Sequence, residues 1–234
     1  MNESIPNISP LIKTAADGLS EKERDGTKRQ LAKKLRELQT VTSADPLQRA
    51  RLQLDIAEAL NTLERKKEAW DIAREAFVTA LQQESWQDAV EACDVLYQAG
   101  QEDSIAVLGM GVWLAVTFPV DPELTAAMLI HVVDETPDDA DGTAVAAITA
   151  RYVVDLRADD NRHEDLCFLT DNLIATVAKR HSNVQDQEAM SHWLERLQLR
   201  DPQVFIPRMG KVVDTLVGGR WWFDRDELRN KLPD

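Results

Sequence analysis

Cysteine is nearly missing from this chain: its 234 residues include two, Cys93 and Cys167. Two thiols cannot form the disulfide framework of a small secreted domain, and inside helix-like patterns they read as buried free thiols. Glycine and proline are scarce too, nine of each. Few breakers, with many Ala, Leu, Glu, Gln and Arg, favour helix over turn-rich β architecture. No period-2 run with turn signals on both sides reads as a strand. Long apolar runs are also lacking. The longest uncharged stretch, SIAVLGMGVWLAVTFPV (104–120), is broken by Pro119 and falls short of the roughly 20 apolar residues a membrane span needs. It reads as a buried helix. The opening MNESIPNISPLIKTAADG has no basic region followed by an apolar one, so no signal peptide and a cytoplasmic location are expected. Positive charge is the last deficit: 27 Lys and Arg face 41 Asp and Glu, a net charge of −14. Residues 100–178 hold 15 acidic and 3 basic side chains. That surface repels a phosphate backbone and excludes general nucleic-acid binding. A basic protein partner, or solubility alone, fits it better.

Helix start and stop signals fill the chain. TKRQLAKKLRELQTV (27–41) aligns Leu31, Leu35, Leu38 and Val41 on one face, and SADP breaks it. Further starts fall near residues 47, 66, 85, 103, 121, 141, 163, 184 and 201, and a short last helix follows Asp224. Asp121-Pro122 and Asp201-Pro202 pair an N-cap with proline at the first helical position. About eleven or twelve helices are expected. A helix pair recurs at roughly 40 residues, the period of helical repeat arrays, in which each pair buries its face by stacking on its neighbours. WDIAREAFVTALQ from Trp70 and WQDAVEACDVLYQ from Trp86 also echo each other over one helix, which predicts similar packing roles.

LDIAEALNTLERKKEAWDIAREA (54–76) resembles a tetratricopeptide repeat. Ala57 and Leu60 stand at the small and large positions of its first helix, and Ala69 and Ala76 at the small positions of the second. Glu64 replaces the usual turn glycine, no proline closes the repeat, and the next 34 residues do not match. The resemblance covers about one repeat and implies a superhelical interaction scaffold. The expected fold is all-α, a right-handed α-solenoid of stacked helical hairpins. Residues 1–45 read as an N-terminal helical arm, 46–217 as the repeat domain, and 218–234 as a C-terminal aromatic capping segment. An irregular solenoid and a compact all-α bundle are the alternatives.

No catalytic signature is present, and neither is a phosphate-binding glycine loop. DETPDDADG (134–142) is the densest acidic cluster. It fails the EF-hand template, because with Gly142 at loop position 6 the ligand positions 1 and 12 fall on Pro137 and Ile148. Asp134, Glu135 and Asp138 match the letters of the aspartate-rich Mg²⁺ site of all-α isoprenoid synthases. Pro137 interrupts the helix that would align them, and a solvated loop with an N-cap is the plainer reading. His163 and Cys167 lie one helical turn apart, half of a zinc site whose second pair of ligands is missing. Glu188 and His192 fall short of a di-iron pattern in the same way. The four histidines therefore read as partly exposed helical side chains, and no cofactor is expected.

Three features suggest a partner surface. Gly109 and Gly111 sit within an apolar helix, where each costs about 1 kcal/mol relative to alanine; they read as a close approach of a neighbouring helix or Trp113, or as a groove floor for a partner. KERDGTKRQLAKKLR (22–36) is the one basic stretch. Its Lys28, Lys33 and Arg36 suit an anionic partner, or the helix docks its Leu face on the array, near the acidic middle of its own chain or of a second copy. Finally, Trp221, Trp222 and Phe223 stand in a row. Asp224 and Glu227 form a capping box and Phe223 and Leu228 a hydrophobic staple. An extended backbone there would set Trp221 and Phe223 to sealing the end of the array and leave Trp222 for docking. The expected function is a non-catalytic protein-binding scaffold, adaptor, assembly chaperone or regulatory subunit. The alternative is a metal-dependent enzyme using the Asp134, Glu135 and Asp138 loop.

Overall fold

A computed structural model describes residues 20–41 and 45–232. The opening stretch read for a signal peptide, and the first half of the SADP break, lie outside the described residues. Those residues form eleven helices: α1 (Glu21–Thr40), α2 (Pro46–Thr62), α3 (Lys66–Gln82), α4 (Trp86–Gln98), α5 (Ser104–Thr117), α6 (Pro122–Glu135), α7 (Asp141–Arg157), α8 (Asp160–Ser182), α9 (Gln187–Arg196), α10 (Pro202–Val217) and α11 (Arg225–Arg229). No strand occurs among the described residues. None of their helices is long and apolar enough to cross a membrane.

Most helix starts fall within a residue or two of their sequence signals, because the caps are local. Asp45, Asp121 and Asp201 each accept a backbone N–H ahead of a proline at the helix start. The first helix starts six residues before its expected position. Ser20 and Glu23 form a reciprocal capping box, which carries the helix through Gly26. The hairpin turns use a less visible device. Glu64, Glu84, Asn183 and Gln198 take φ of 61°, 54°, 52° and 53°, the left-handed region that normally favours glycine. At each, the following N–H reaches back to a carbonyl in the last turn, as Arg65 does to Leu60 and Ser85 to Ala80. Glu64 thus makes the α2–α3 turn without a glycine.

Helices pack mainly against their sequence neighbours, consistent with stacked hairpins. Ala57, Leu60, Ala69 and Ala76 are all buried, as the repeat resemblance implies for an α2–α3 pair. The Trp echo does not mark equivalent roles. Trp70 is the fifth residue of α3 and meets Trp222, whereas Trp86 opens α4 and stacks on Phe118 at 3.8 Å.

The two layers of the stack differ. In one, α2 touches α4, α4 touches α6 and α6 touches α8, while α3, α5 and α7 make no comparable contacts with one another. Helix α10 fills part of that open side, packing on both α5 and α7. Its buried Phe205, Met209, Val213 and Val217 recur every fourth residue along one face. Gly109 makes this approach feasible. A Cβ there would lie 2.8 Å from Val217 Cγ2 and 3.3 Å from the Val213 carbonyl oxygen, where backbone cannot easily give way. Gly111 faces the other layer: a Cβ would collide with Met128 Cε and lie 2.6 Å from Cys93 Cβ.

Several helix ends are closed by long side chains from elsewhere in the stack. Arg157, at the end of α7, donates to the carbonyls of Ala115 and Val116 at the end of α5, at 2.7 and 2.8 Å. Arg180 of α8 donates to Val133 O of α6 at 2.7 Å, and Asn61 of α2 to Val95 O of α4 at 2.9 Å. Arginine here replaces the C-cap glycine.

Gly109→Ala is expected to cost about 1–2 kcal/mol, overpacking outweighing the regained helix propensity. Denaturant unfolding measures the loss, and hydrogen exchange is expected to rise in α10 more than in α2 or α3.

Candidate functional site

Helix α1 presents its apolar face incompletely. Of the aligned Leu31, Leu35, Leu38 and Val41, Leu31 alone is buried, and Leu35 is 41% exposed against the expectation that it docks. The cause is geometric. Helix α1 packs on α2, and its remaining flank looks onto the α2–α3 turn across a groove of about 650 Å³. Leu31, Ala32, Leu35 and Leu63 give the groove an apolar floor, and Arg24, Lys28, Arg65 and Glu64 form its rim. Arg65 is held by a bidentate pair with Glu68 at 2.7 and 2.6 Å, and Lys28 lies 3.4 Å from Asp25. Of the three basic residues singled out in the sequence, Lys28 lines this groove. Lys33 pairs with Glu37 at 3.6 Å, and Arg36 donates to Ala32 O of its own helix. Leu63 falls in line with Leu54, Ala57 and Leu60 along the sequence of α2, but no pattern marks Arg65, whose place depends on where the turn after α2 lands.

The other two partner candidates are occupied from within the chain. The approach at Gly109 is real, but the approaching helix is α10; Gly111 is filled by Cys93 and Met128. Neither is open floor. The aromatic segment corrects two expectations. It does not seal an end of the array, because α10 runs back across α7 and α5 and delivers it against α5 and α3. Trp221 and Phe223 meet Trp113 of α5 at 6.0 and 5.5 Å between ring centroids. The backbone bends at Trp222 and Phe223 rather than running extended, Phe223 shares Phe77 with Trp222, and Trp222 is not left free. Its ring packs edge-on against Trp70 at 6.0 Å and Phe77 at 5.6 Å in α3, and the Arg74 guanidinium lies 3.2 Å from its centroid. Arg74 Nη1 has no hydrogen-bond partner there, and burial pushes its pKa down; the aromatic face supplies the compensating attraction. Asp224 caps α11 by accepting from the N–H groups of Asp226 and Glu227, and Leu228 is buried.

The acidic loop does not assemble a metal site. Pro137 lies between the end of α6 and the start of α7, and the three carboxylates take separate partners. Glu135 accepts from Tyr97 Oη at 2.7 Å, and Asp138 pairs with Arg180 at 3.3 Å. Asp134 is exposed beside His131, and partial desolvation raises its pKa.

The histidines divide by partner. His131 meets Asp94 at 3.1 Å. His181 is partly exposed as a residue, as expected, but its side chain, 7% exposed, lies between Trp193 and Asp141, whereas His192 is exposed. His163 and Cys167 of α8 gain a neighbour that spacing could not reveal, Asp155 of α7. His163 Nε2 lies 3.2 Å from Asp155 Oδ1, and Cys167 Sγ lies 3.9 Å from the same oxygen. Cys167 is partly exposed rather than buried, unlike Cys93.

Against this geometry, no protein-family description matches the chain, and neither a curated protein nor a solved structure is detectably similar to it.

Trp222→Ala is expected to cost about 2–3 kcal/mol, below the full cost of deleting a buried Trp because this one is partly exposed. Chemical denaturation measures it. Thiol titration of the metal-free native protein should modify one cysteine, Cys167, more slowly than a free thiol because burial, the largest influence, raises its pKa. The second, Cys93, should react only in denaturant, since full burial pushes its pKa far up.

Proposed function

We propose that this protein is a non-catalytic scaffold that binds another protein, built as a right-handed α-solenoid of the tetratricopeptide type. The observation that carries the reading is the groove beside α1, about 650 Å³ with an apolar floor on which Leu35 is exposed, rimmed by Arg24, Lys28, Arg65 and Glu64. Its shape suits an amphipathic helix or extended segment laid along α1. Three cations against Glu64 on the rim favour an acidic segment over the basic partner that the acidic middle of the chain suggests. Stacked hairpins need no special residues to build such a surface, in keeping with a sequence that has no catalytic signature.

The test is affinity capture from native extract with three baits. The unaltered chain is expected to retain a partner that Leu35→Asp combined with Lys28→Glu loses by at least about tenfold, the scale of one central apolar anchor. Trp222→Ala, which alters packing on Trp70 and Phe77 of α3 and removes no groove residue, is expected to retain it. Equal recovery by the unaltered chain and the α1 variant, with the variant's thermal melt unchanged, would overturn the reading.

A further inference from the structure

We infer that Asp155, His163 and Cys167 form a mononuclear zinc site clasping the α7–α8 hairpin, with a fourth position open to water. Among the described residues these are the only three metal-ligating side chains whose donor atoms converge within 4.8 Å of one another. They come from two helices. His163 and Cys167 share one face of α8, and Asp155 lies near the end of α7.

The spacing matches tetrahedral coordination. With zinc about 2.1 Å from a carboxylate oxygen, about 2.0 Å from an imidazole nitrogen and about 2.3 Å from a thiolate, tetrahedral angles place ligand pairs about 3.4 Å apart for O–N and about 3.6 Å for S–N and S–O. Here O–N is 3.2 Å, S–N 3.5 Å and S–O 3.9 Å. A proton-transfer pair between the thiol and the imidazole fits less well. Cys167 Sγ is 3.5 Å from both ring nitrogens, so it does not lie in line with a single nitrogen lone pair. A cation between sulfur and Nε2 requires the ring to swing until the Nε2 lone pair points at the ion, which carries Nδ1 away from the sulfur.

The surroundings tolerate the ion. Arg151 contacts the same Asp155 oxygen but also holds Asp171 at 2.8 Å, so it keeps a carboxylate when a cation takes that oxygen. A divalent ion balances the Asp155 carboxylate and the Cys167 thiolate, whose proton is released on binding. The mixed oxygen, nitrogen and sulfur set suits zinc and is poorly matched to Mg²⁺ or Ca²⁺, which prefer oxygen alone. Three protein donors and a water is an open coordination sphere, and the exposed side chains of Leu156 and Phe168, each next in sequence to a ligand, mark the surface beside it.

The experiment uses the full chain, metal-stripped and free of any affinity tag, titrated with Co²⁺ and then Zn²⁺ in the presence of millimolar Mg²⁺. One equivalent of Co²⁺ is expected to give visible d–d bands of four-coordinate intensity and a near-ultraviolet sulfur-to-cobalt charge-transfer band, both bleached by one equivalent of Zn²⁺. Cys167→Ser should abolish the charge-transfer band. His163→Gln and Asp155→Asn should each weaken binding by at least about tenfold, as losing a metal's support does. Circular dichroism checks that each variant is folded, and a variant that is not is replaced by Cys167→Ala, His163→Ala or Asp155→Ala. Absence of the charge-transfer band at one equivalent, or Zn²⁺ affinity unchanged in the folded variants, would overturn the site.

Discussion

The structure depends on an imbalance between its two layers. Where α2, α4, α6 and α8 touch in succession, the layer closes itself. The opposite helices stand apart, and apolar surface on α3, α5 and α7 has to be covered by something else. Helix α10 covers the cleft between α5 and α7, and the Trp-Trp-Phe segment covers α3 and α5. Both depend on a missing methyl group, since a side chain at Gly109 would meet the backbone of α10. The most apolar helix, α5, thereby becomes the centre of the molecule, with α4 and α6 on one side and α10 on the other.

Charge is arranged around that centre in a consistent way. Arg157, Arg180 and Arg208 turn inward to carbonyl oxygens, and Arg74, Arg225 and Arg229 lie over aromatic rings. Much of the limited supply of cations is therefore committed to holding helices together. Apart from Asp88, buried against Arg51, the described acidic groups remain at least partly exposed, and α1 is left as the basic element of an acidic protein.

The all-α class and nearly every helix start were legible in the sequence, because caps such as Asp121-Pro122 and breakers such as Gly100 act within a few residues. Burial of Ala57, Leu60, Ala69 and Ala76 was legible from the repeat resemblance, and that of α5 from its lack of charge. Contacts between distant parts of the chain were not. Nothing near Gly109 names α10 as its neighbour, and nothing in the row of aromatics says that Trp222 meets Trp70 across some 150 residues. The turns at Glu64, Glu84 and Gln198 were hidden because residues disfavoured in the left-handed region occupy it. His163 and Cys167 were visible as a pair, but Asp155 lies on the preceding helix, and its approach is set by how α7 and α8 cross. The groove beside α1 was half legible: the basic helix stood out, while its exposed leucine followed from packing.

The arginine caps carry a consequence for how the chain is made. The last carbonyls of α5 wait for Arg157, 41 and 42 residues downstream, and that of α6 waits for Arg180, 47 residues downstream. The ends of α5 and α6 therefore stay frayed until α7 and α8 have been made and have docked. The end of α4 has no such wait, because Asn61 and Lys66, which reach its Val95 and Gln98 carbonyls, precede it in the chain. Assembly thus acquires a direction in the middle of the stack, where each of two helices is finished by the second one after it.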